Sequence, residues 1–300
     1  MKNEYVWGLD IGGTHLRIGL FNRGTLISVQ KRAWEGNDFE QDTKTFLNLI
    51  HECISEWGVP CACGISFAGI LTPDQLEVIS WPNRPWWKGI PVNVFFSSLP
   101  SPFAIEDDAA SALLGELNYG AGKGKTHLFM ATVGTGIGGG MVLEGKLYRG
   151  RYGWAADLGH MQVSNNYMIC SCGKRGCLQA LASGPAILRQ ARMLSPYKDI
   201  SENQLSNAIY NRETWSNQAV SQAASYLGRA LANVVKLIDP EMVIVGGGIV
   251  QKLKLYFDEC ESAFRNELGE NSELVIVKAA LGDDAGLYGA YSLISKSNKE

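Results

Sequence analysis

The segment His127-Leu-Phe-Met-Ala-Thr-Val-Gly-Thr-Gly-Ile-Gly-Gly-Gly-Met-Val-Leu-Glu-Gly-Lys-Leu147 decides between two α/β folds. Its first seven residues form a β-type run, and Gly134-Thr-Gly-Ile-Gly-Gly139 fits the G-x-G-x-x-G pattern of a dinucleotide site. That site requires a helix immediately afterwards. Here the chain continues as Met141-Val-Leu143, a second β-type run, with a tight turn at Glu144-Gly145. The spacing therefore predicts a glycine turn over 134–140 inside a β-hairpin, and a nicotinamide-dependent enzyme survives only if a helix follows Gly139.

The same arrangement recurs at the start of the chain. Residues 5–9 and 16–21 are β-type runs joined by Asp10-Ile-Gly-Gly-Thr14, a faint internal repeat that predicts duplicated lobes. From Asn37 a helix is expected, with Phe46, Leu49, Ile50, Cys53, Ile54 and Trp57 on one stripe. Short strands are predicted at 63–67, 103–105, 242–245 and 274–277. A helix should begin near Asp108, a long one should carry Val220 to Ile238, and a last one should begin at Ala285. Strands alternating with helices give an α/β class. Residues 79–92, rich in Pro and Trp, read as an ordered loop, and 120–126 as a polar hinge. The predicted division is a smaller lobe of 1–120 plus 286–300 and a larger lobe of 121–285.

Composition excludes several classes. Apolar residues at 46% and charged residues at 19% describe a globular chain. With 27 Lys+Arg against 30 Asp+Glu, the net charge of −3 lacks the electrostatic footprint of a nucleic-acid binder. The opening MKNEYVWGLD meets acids at Glu4 and Asp10, and no window of the length a membrane span needs is wholly apolar, so a cytoplasmic protein is expected. Glycine stands out at 34 of 300, concentrated in turns at 12–13, 134–140 and 246–248. Without a Cβ, such turns let backbone N–H groups ring an anion. Gly124-Lys-Thr126 resembles the end of a P-loop, but Tyr119 stands where the first glycine belongs and a helix precedes it, so a hinge is the better reading. Of seven cysteines, three crowd into Cys170–Cys177, which in a chain without an export signal points to a metal before disulfides.

Asp10-Ile-Gly-Gly-Thr14, Glu106-Asp-Asp-Ala109, Gly134-Thr-Gly-Ile-Gly-Gly139, Asp157-Leu-Gly-His160, Cys170-Ser-Cys-Gly-Lys-Arg-Gly-Cys177 and Asp239-Pro…Val245-Gly-Gly-Gly248 follow one another in this order. Together they resemble the ROK family of bacterial sugar kinases and repressors, from residue 6 to about 293. The resemblance implies a two-lobed actin-like (RNase H-like) fold with an interlobe cleft and a zinc loop. It also implies ATP-dependent phosphorylation of a hexose, most often at O6, and a homodimer. ROK repressors carry a DNA-binding segment before the first glycine turn; only nine residues precede Asp10, which favours the kinase branch, with a sugar sensor lacking turnover as the alternative.

On that resemblance, His160, Cys170, Cys172 and Cys177 form a closed Cys₃His set for a structural Zn²⁺. Asp108 is the expected base, although a helix N-cap accounts for an aspartate at that position equally well on local grounds. Asp10 would hold Mg²⁺, the turns Gly12-Gly13-Thr14 and Gly134-Thr135-Gly136 would hold the phosphates of ATP, and Gly246-Gly247-Gly248 would lie against adenosine. The sugar shell maps onto Gly69, Asn83, Asp107, Asp157, His160 and Gln179, with Asp108 beside them. Trp86 and Trp87 either stack on a sugar ring or anchor their loop. Asp107 stands where the family commonly has asparagine, and Asp157 and Gln179 where it usually has glutamate. These three changes are expected to alter which sugar fits.

Overall fold

A computed structural model describes residues 5–100, 102–165, 168–197, 199–269 and 273–295. The chain divides into two compact units: 1–124 with 149–155 and 283–300, and 125–148 with 156–282.

The first unit is built on β1 (Tyr5–Ile11), β2 (His15–Asn22), β3 (Thr25–Ala33), β4 (Ala62–Phe67) and β7 (Phe103–Asp107), in the order β3-β2-β1-β4-β7. The short hairpin β5 (Ile70–Leu71) and β6 (Val78–Ser80) stands apart. Its helices are α1 (Phe39–Trp57), α2 (Val92–Phe96), α3 (Asp108–Tyr119) and a closing helix Ala285–Ser295. β1 and β4 are apolar almost throughout because both faces of these central strands are covered. β3, at the edge, alternates exposed and half-buried residues. α1 starts where Asp38 accepts a 2.8 Å bond from Gln41 N–H, and buries Phe46, Leu49, Ile50 and Cys53 of the predicted stripe. The closing helix lies so near the sheet and α3 that a Cβ at Gly64 would strike the Ala290 carbonyl, and one at Gly289 the Ser111 carbonyl.

The second unit repeats the plan. β8 (Leu128–Val133), β9 (Ile137–Leu143), β10 (Lys146–Leu147), β11 (Met242–Gly246) and β12 (Val275–Lys278) lie in the order β10-β9-β8-β11-β12. In both sheets an antiparallel meander of three strands is followed by two parallel ones. The helices are α4 (Leu178–Ala182), α5 (Gly184–Leu194), α6 (Glu202–Tyr210), α7 (Thr214–Ile238), α8 (Gly248–Lys252) and α9 (Lys254–Leu268). The inner face of α7 buries Val220, Ala223, Ala224, Leu227, Leu231, Val234 and Val235.

Two expectations need correction. The glycine turn is confined to Gly134–Gly136; Gly138, Gly139 and Gly140 belong to β9, where their backbones pair with β8. The close approach of the Ala156 carbonyl, which a Cβ at Gly139 would strike, explains a glycine inside a strand. Residues 149–155 go with the first unit rather than with 121–285, because Arg149 reaches back to Glu106, its Nε donating to Oε2 at 2.6 Å. Among the described residues no helix is long and apolar enough to cross a membrane.

Candidate active site

Parallel strands bring their carboxyl ends to one edge of a sheet, where ligands of α/β proteins bind. In the first unit Asp10 lies opposite Ser66, and Ser66 opposite Glu106. One residue further, Ile11, Phe67 and Asp107 align, so the Asp10–Thr14 turn, Gly69 and the Asp107-Asp108 pair all leave the sheet along one rim. Ala68 N–H donates to the Ile11 carbonyl at 3.0 Å, tying the residue before Gly69 to the first glycine turn.

The register also separates two neighbouring aspartates. Asp107 is the N-cap of α3: its Oδ1 accepts from Ala109 N–H and Ala110 N–H, each at 3.0 Å. Asp108 is thereby relieved of the capping role that the sequence left open for it. Asp108 is exposed at the start of α3; incomplete hydration of its carboxyl and the like charges of Asp107 and Asp10 favour its protonated form. Its pKa consequently stands well above the ordinary carboxylate range. Glu106, buried at 4% exposure, receives Arg149 on one oxygen and Asp107 N–H on the other at 3.1 Å. It sits within the motif that drew attention to 107 and 108, but alternation along a strand gave no sign that it pairs with a residue 43 positions away.

Asp10 accepts from Ser66 Oγ at 3.3 Å and has Arg17 Nη1 at 3.8 Å from its other oxygen. Burial raises its pKa; Arg17 lowers it, and Asp284 and Asp283 push it up again. Such a carboxylate, short of water and facing further acids, suits a divalent cation. Asn83 packs onto the glycine turn, where a Cβ at Gly13 would lie 2.8 Å from Asn83 Cγ. Trp87 is buried and Trp86 half-buried, and both indole N–H groups donate to Asp42 Oδ2 at 2.7 Å. These two tryptophans anchor their loop.

In the second unit the carboxyl ends of β8 and β11 carry the other two glycine turns, Gly246 pairing with Thr132. Gly134 N–H closes on the Gly136 carbonyl at 2.9 Å, and Gly184 N–H donates to the Gly134 carbonyl at 2.9 Å. Gly247 has φ of 91° and precedes α8, so the third turn joins a strand to a helix. Strand β9 after Gly136 removes the dinucleotide reading. Thr126 and His127 N–H donate to Glu241 Oε2 at 2.6 and 2.9 Å, bonds that hold the Glu241 pKa down to about 2. The Gly124-Lys-Thr126 stretch thus fastens the start of β8.

Gln179 accepts from Ile137 N–H at 3.1 Å and donates to Ser171 Oγ at 3.0 Å. It thereby joins the end of the Gly134–Gly136 turn to the cysteine loop. A glutamate could accept the first bond but could not donate the second. Sequence reasoning gave Gln179 a sugar role only; Ser171, between two cysteines, carried no signal of its own. Asp157 is exposed just before a 3₁₀ turn of Leu158–His160, after Ala156 at φ of 67°.

The ligand atoms of His160, Cys170, Cys172 and Cys177 all lie within 4.8 Å of one another. Nδ1 of His160 faces Cys170 Sγ at 3.5 Å, and Cys172 Sγ lies 3.7 Å from Cys177 Sγ. Burial and the neighbouring Cys172 thiol push the Cys177 thiol up to about 12. Three thiols and an imidazole converging on one point fit a tetrahedral, closed zinc set.

A family model described as "ROK family" matches residues 6–297. The chain belongs to the ROK family. Kanosamine kinase of Amycolatopsis mediterranei is 32% identical over 297 residues, covering 98% of this chain and 97% of the relative. Glucokinase of Thermotoga maritima is 31% identical over 311 residues, covering 96% of each. A crystal structure of a ROK family glucokinase from Streptomyces griseus in complex with glucose and AMPPNP superimposes with a TM-score of 0.86 at 30% identity, covering 97% of this chain and 99% of that one. The actin-like ATPase fold follows from that match, and the paired sheets of identical strand order are its signature here.

Proposed function

We propose that this ROK protein moves the γ-phosphoryl group of ATP to a hydroxyl of a hexose, with Asp108 as the base. The class, an ATP-dependent sugar kinase, rests on the family and on relatives named for phosphorylating sugars. The observation that carries the finer reading is the division of labour at the start of α3: Asp107 caps the helix, and Asp108 beside it holds a carboxylate of raised pKa. A base of raised pKa accepts a proton more readily, which is what an attacking hydroxyl requires as its bond to phosphorus forms.

Gly69, Asn83, Asp107, Asp108, Asp157, His160 and Gln179 are the groups that would bind the sugar. Adjacent hydroxyls need paired donors and acceptors, which short carboxylates and amides supply. Gly12–Thr14 and Gly134–Gly136 would cradle the phosphates with backbone N–H groups, and Gly246–Gly248 would face adenosine. Asp10 would hold Mg²⁺, which neutralises charge on the transferring phosphates. Zn²⁺ held by His160, Cys170, Cys172 and Cys177 would be structural, stiffening the loop that Ser171 ties to Gln179. His160, with Nδ1 toward the thiols, would leave Nε2 for a sugar hydroxyl.

The family also contains sugar-binding repressors, so a sensor without turnover is the second reading. ADP release measured across a panel of glucose, N-acetylmannosamine, N-acetylglucosamine, kanosamine and allose separates the two. Acceptor-dependent ADP release supports the kinase; sugar binding with none supports the sensor.

A further inference from the structure

Asp42, in the first turn of α1, is fully buried, and beyond anchoring the Trp86-Trp87 loop it has no role described above. Oδ1 accepts from Arg84 Nη1, and Oδ2 accepts from Trp86 and Trp87 Nε1 at 2.7 Å each. A buried carboxylate is tolerated only when paired and hydrogen-bonded, and this one has three donors, one of them a cation.

Arg84 carries the connection onward. Its guanidinium carbon lies 4.5 Å from the ring centroid of Trp34, a cation–π distance. Trp34 Nε1 donates to the Gly12 carbonyl at 2.9 Å, and Trp34 N–H to the Thr14 carbonyl at 3.2 Å. The residue before Arg84 is Asn83, which packs on Gly13. One buried charge therefore reaches the first glycine turn by two routes, through Trp34 to Gly12 and through Asn83 to Gly13.

We infer that Asp42 is a positioning residue: through Arg84 and Trp34 it fixes the Gly12–Thr14 turn in its anion-binding shape, and through Asn83 it sets that turn and the sugar loop against each other. The inference rests on the reading of Gly12–Thr14 as a phosphate turn. A backbone cradle binds phosphate well only if its N–H groups are held in place beforehand, and the Trp34 bond to a carbonyl within the turn is the holding contact.

The test titrates Mg²⁺-AMPPNP into the full chain by calorimetry for the wild type and for Trp34→Phe, Trp86→Phe and Asp42→Asn. Trp34→Phe and Trp86→Phe each delete one indole hydrogen bond, but only the first touches the turn. Melting midpoints, followed in parallel, report any general loosening. The expected result is a 2- to 10-fold weaker AMPPNP affinity in Trp34→Phe, the range of about one hydrogen bond, and an unchanged affinity in Trp86→Phe. Asp42→Asn should weaken binding at least as much as Trp34→Phe. Should Asp42→Asn fail to fold, the Trp34/Trp86 pair decides alone. A folded Asp42→Asn that binds AMPPNP as the wild type does, equal affinities in Trp34→Phe and wild type, or equal losses in Trp34→Phe and Trp86→Phe, overturn the inference while leaving the nucleotide reading intact. A wild type that does not bind AMPPNP removes the nucleotide reading, and the inference with it.

Discussion

Replacing Gly13 by alanine should move Asn83 and little else. Neither Gly12 nor Gly13 has a positive φ, so alanine can adopt the backbone at both positions. A Cβ at Gly13 would overlap Asn83 Nδ2 outright and lie 2.8 Å from Asn83 Cγ and 2.9 Å from Asn83 Cβ. Carbon atoms rest about 3.5–4.0 Å apart and Nδ2 lies closer than either carbon, so the amide must swing away by more than about 1 Å. The backbone of Asn83 cannot follow freely, because Arg84 is fastened to Asp42 and its N–H bonds the Trp81 carbonyl at 2.8 Å. Side-chain rotation must absorb the displacement, and an off-rotamer χ costs about 0.5–1.5 kcal/mol. A hydrogen bond from Asn83 to a sugar hydroxyl is worth a similar amount, about 0.5–1.5 kcal/mol, so its loss raises the sugar KM about 2- to 10-fold. Gly12→Ala is the matched control, since a Cβ there meets only the His15 carbonyl at 3.4 Å. The assay is coupled ADP release at saturating ATP with the hexose varied, on both variants and the wild type. An unchanged sugar KM in Gly13→Ala, or an equal rise in Gly12→Ala, would refute the reasoning.

Two further expectations follow from the site. Asp108 must be ionised to act, and its raised pKa places the acid limb of the kcat/KM profile at higher pH than an ordinary carboxylate would. Asp107→Asn removes one of the like charges that raise it while still capping α3, so that limb should shift to lower pH; a shift upward or none would count against Asp108 as the titrating base. Cys177→Ser should abolish stoichiometric zinc, measured by elemental analysis of the purified chain, and lower the melting midpoint; full zinc content in that variant would remove Cys177 from the ligand set.

Local signals made most of the framework legible. β-type runs broken by glycine located the two opening hairpins, and Glu144-Gly145, at φ of 52° and 74°, made the positive-φ turn that the pair of residues suggested. The three-and-four spacing of Phe46, Leu49, Ile50 and Cys53 found the buried face of α1. The glycines at 138–140 misled, because a strand with glycines looks like a turn until its partner is known: all three pair with β8, and the Ala156 carbonyl crowds Gly139. At the site, the capping question at 107 and 108 could not be answered from two consecutive aspartates, since either can cap and only the backbone register chooses. Asp42 was invisible for a different reason. A charged residue in the first turn of a helix is ordinarily a solvated one that favours the dipole, and its three donors come from 42 to 45 positions away. The double engagement of Gln179 was hidden in the same manner, by a contact 42 residues distant.

The central claim is that Asp108 takes the proton of the acceptor sugar. Its most direct test compares Asp108→Asn with the wild type for ADP release on the best acceptor of the hexose panel and, in parallel, for calorimetric binding of that hexose and of Mg²⁺-AMPPNP. The account predicts turnover reduced at least 10²-fold, the scale of general base catalysis, with both ligands bound within a few-fold of wild type. Turnover near the wild-type rate in Asp108→Asn would contradict it.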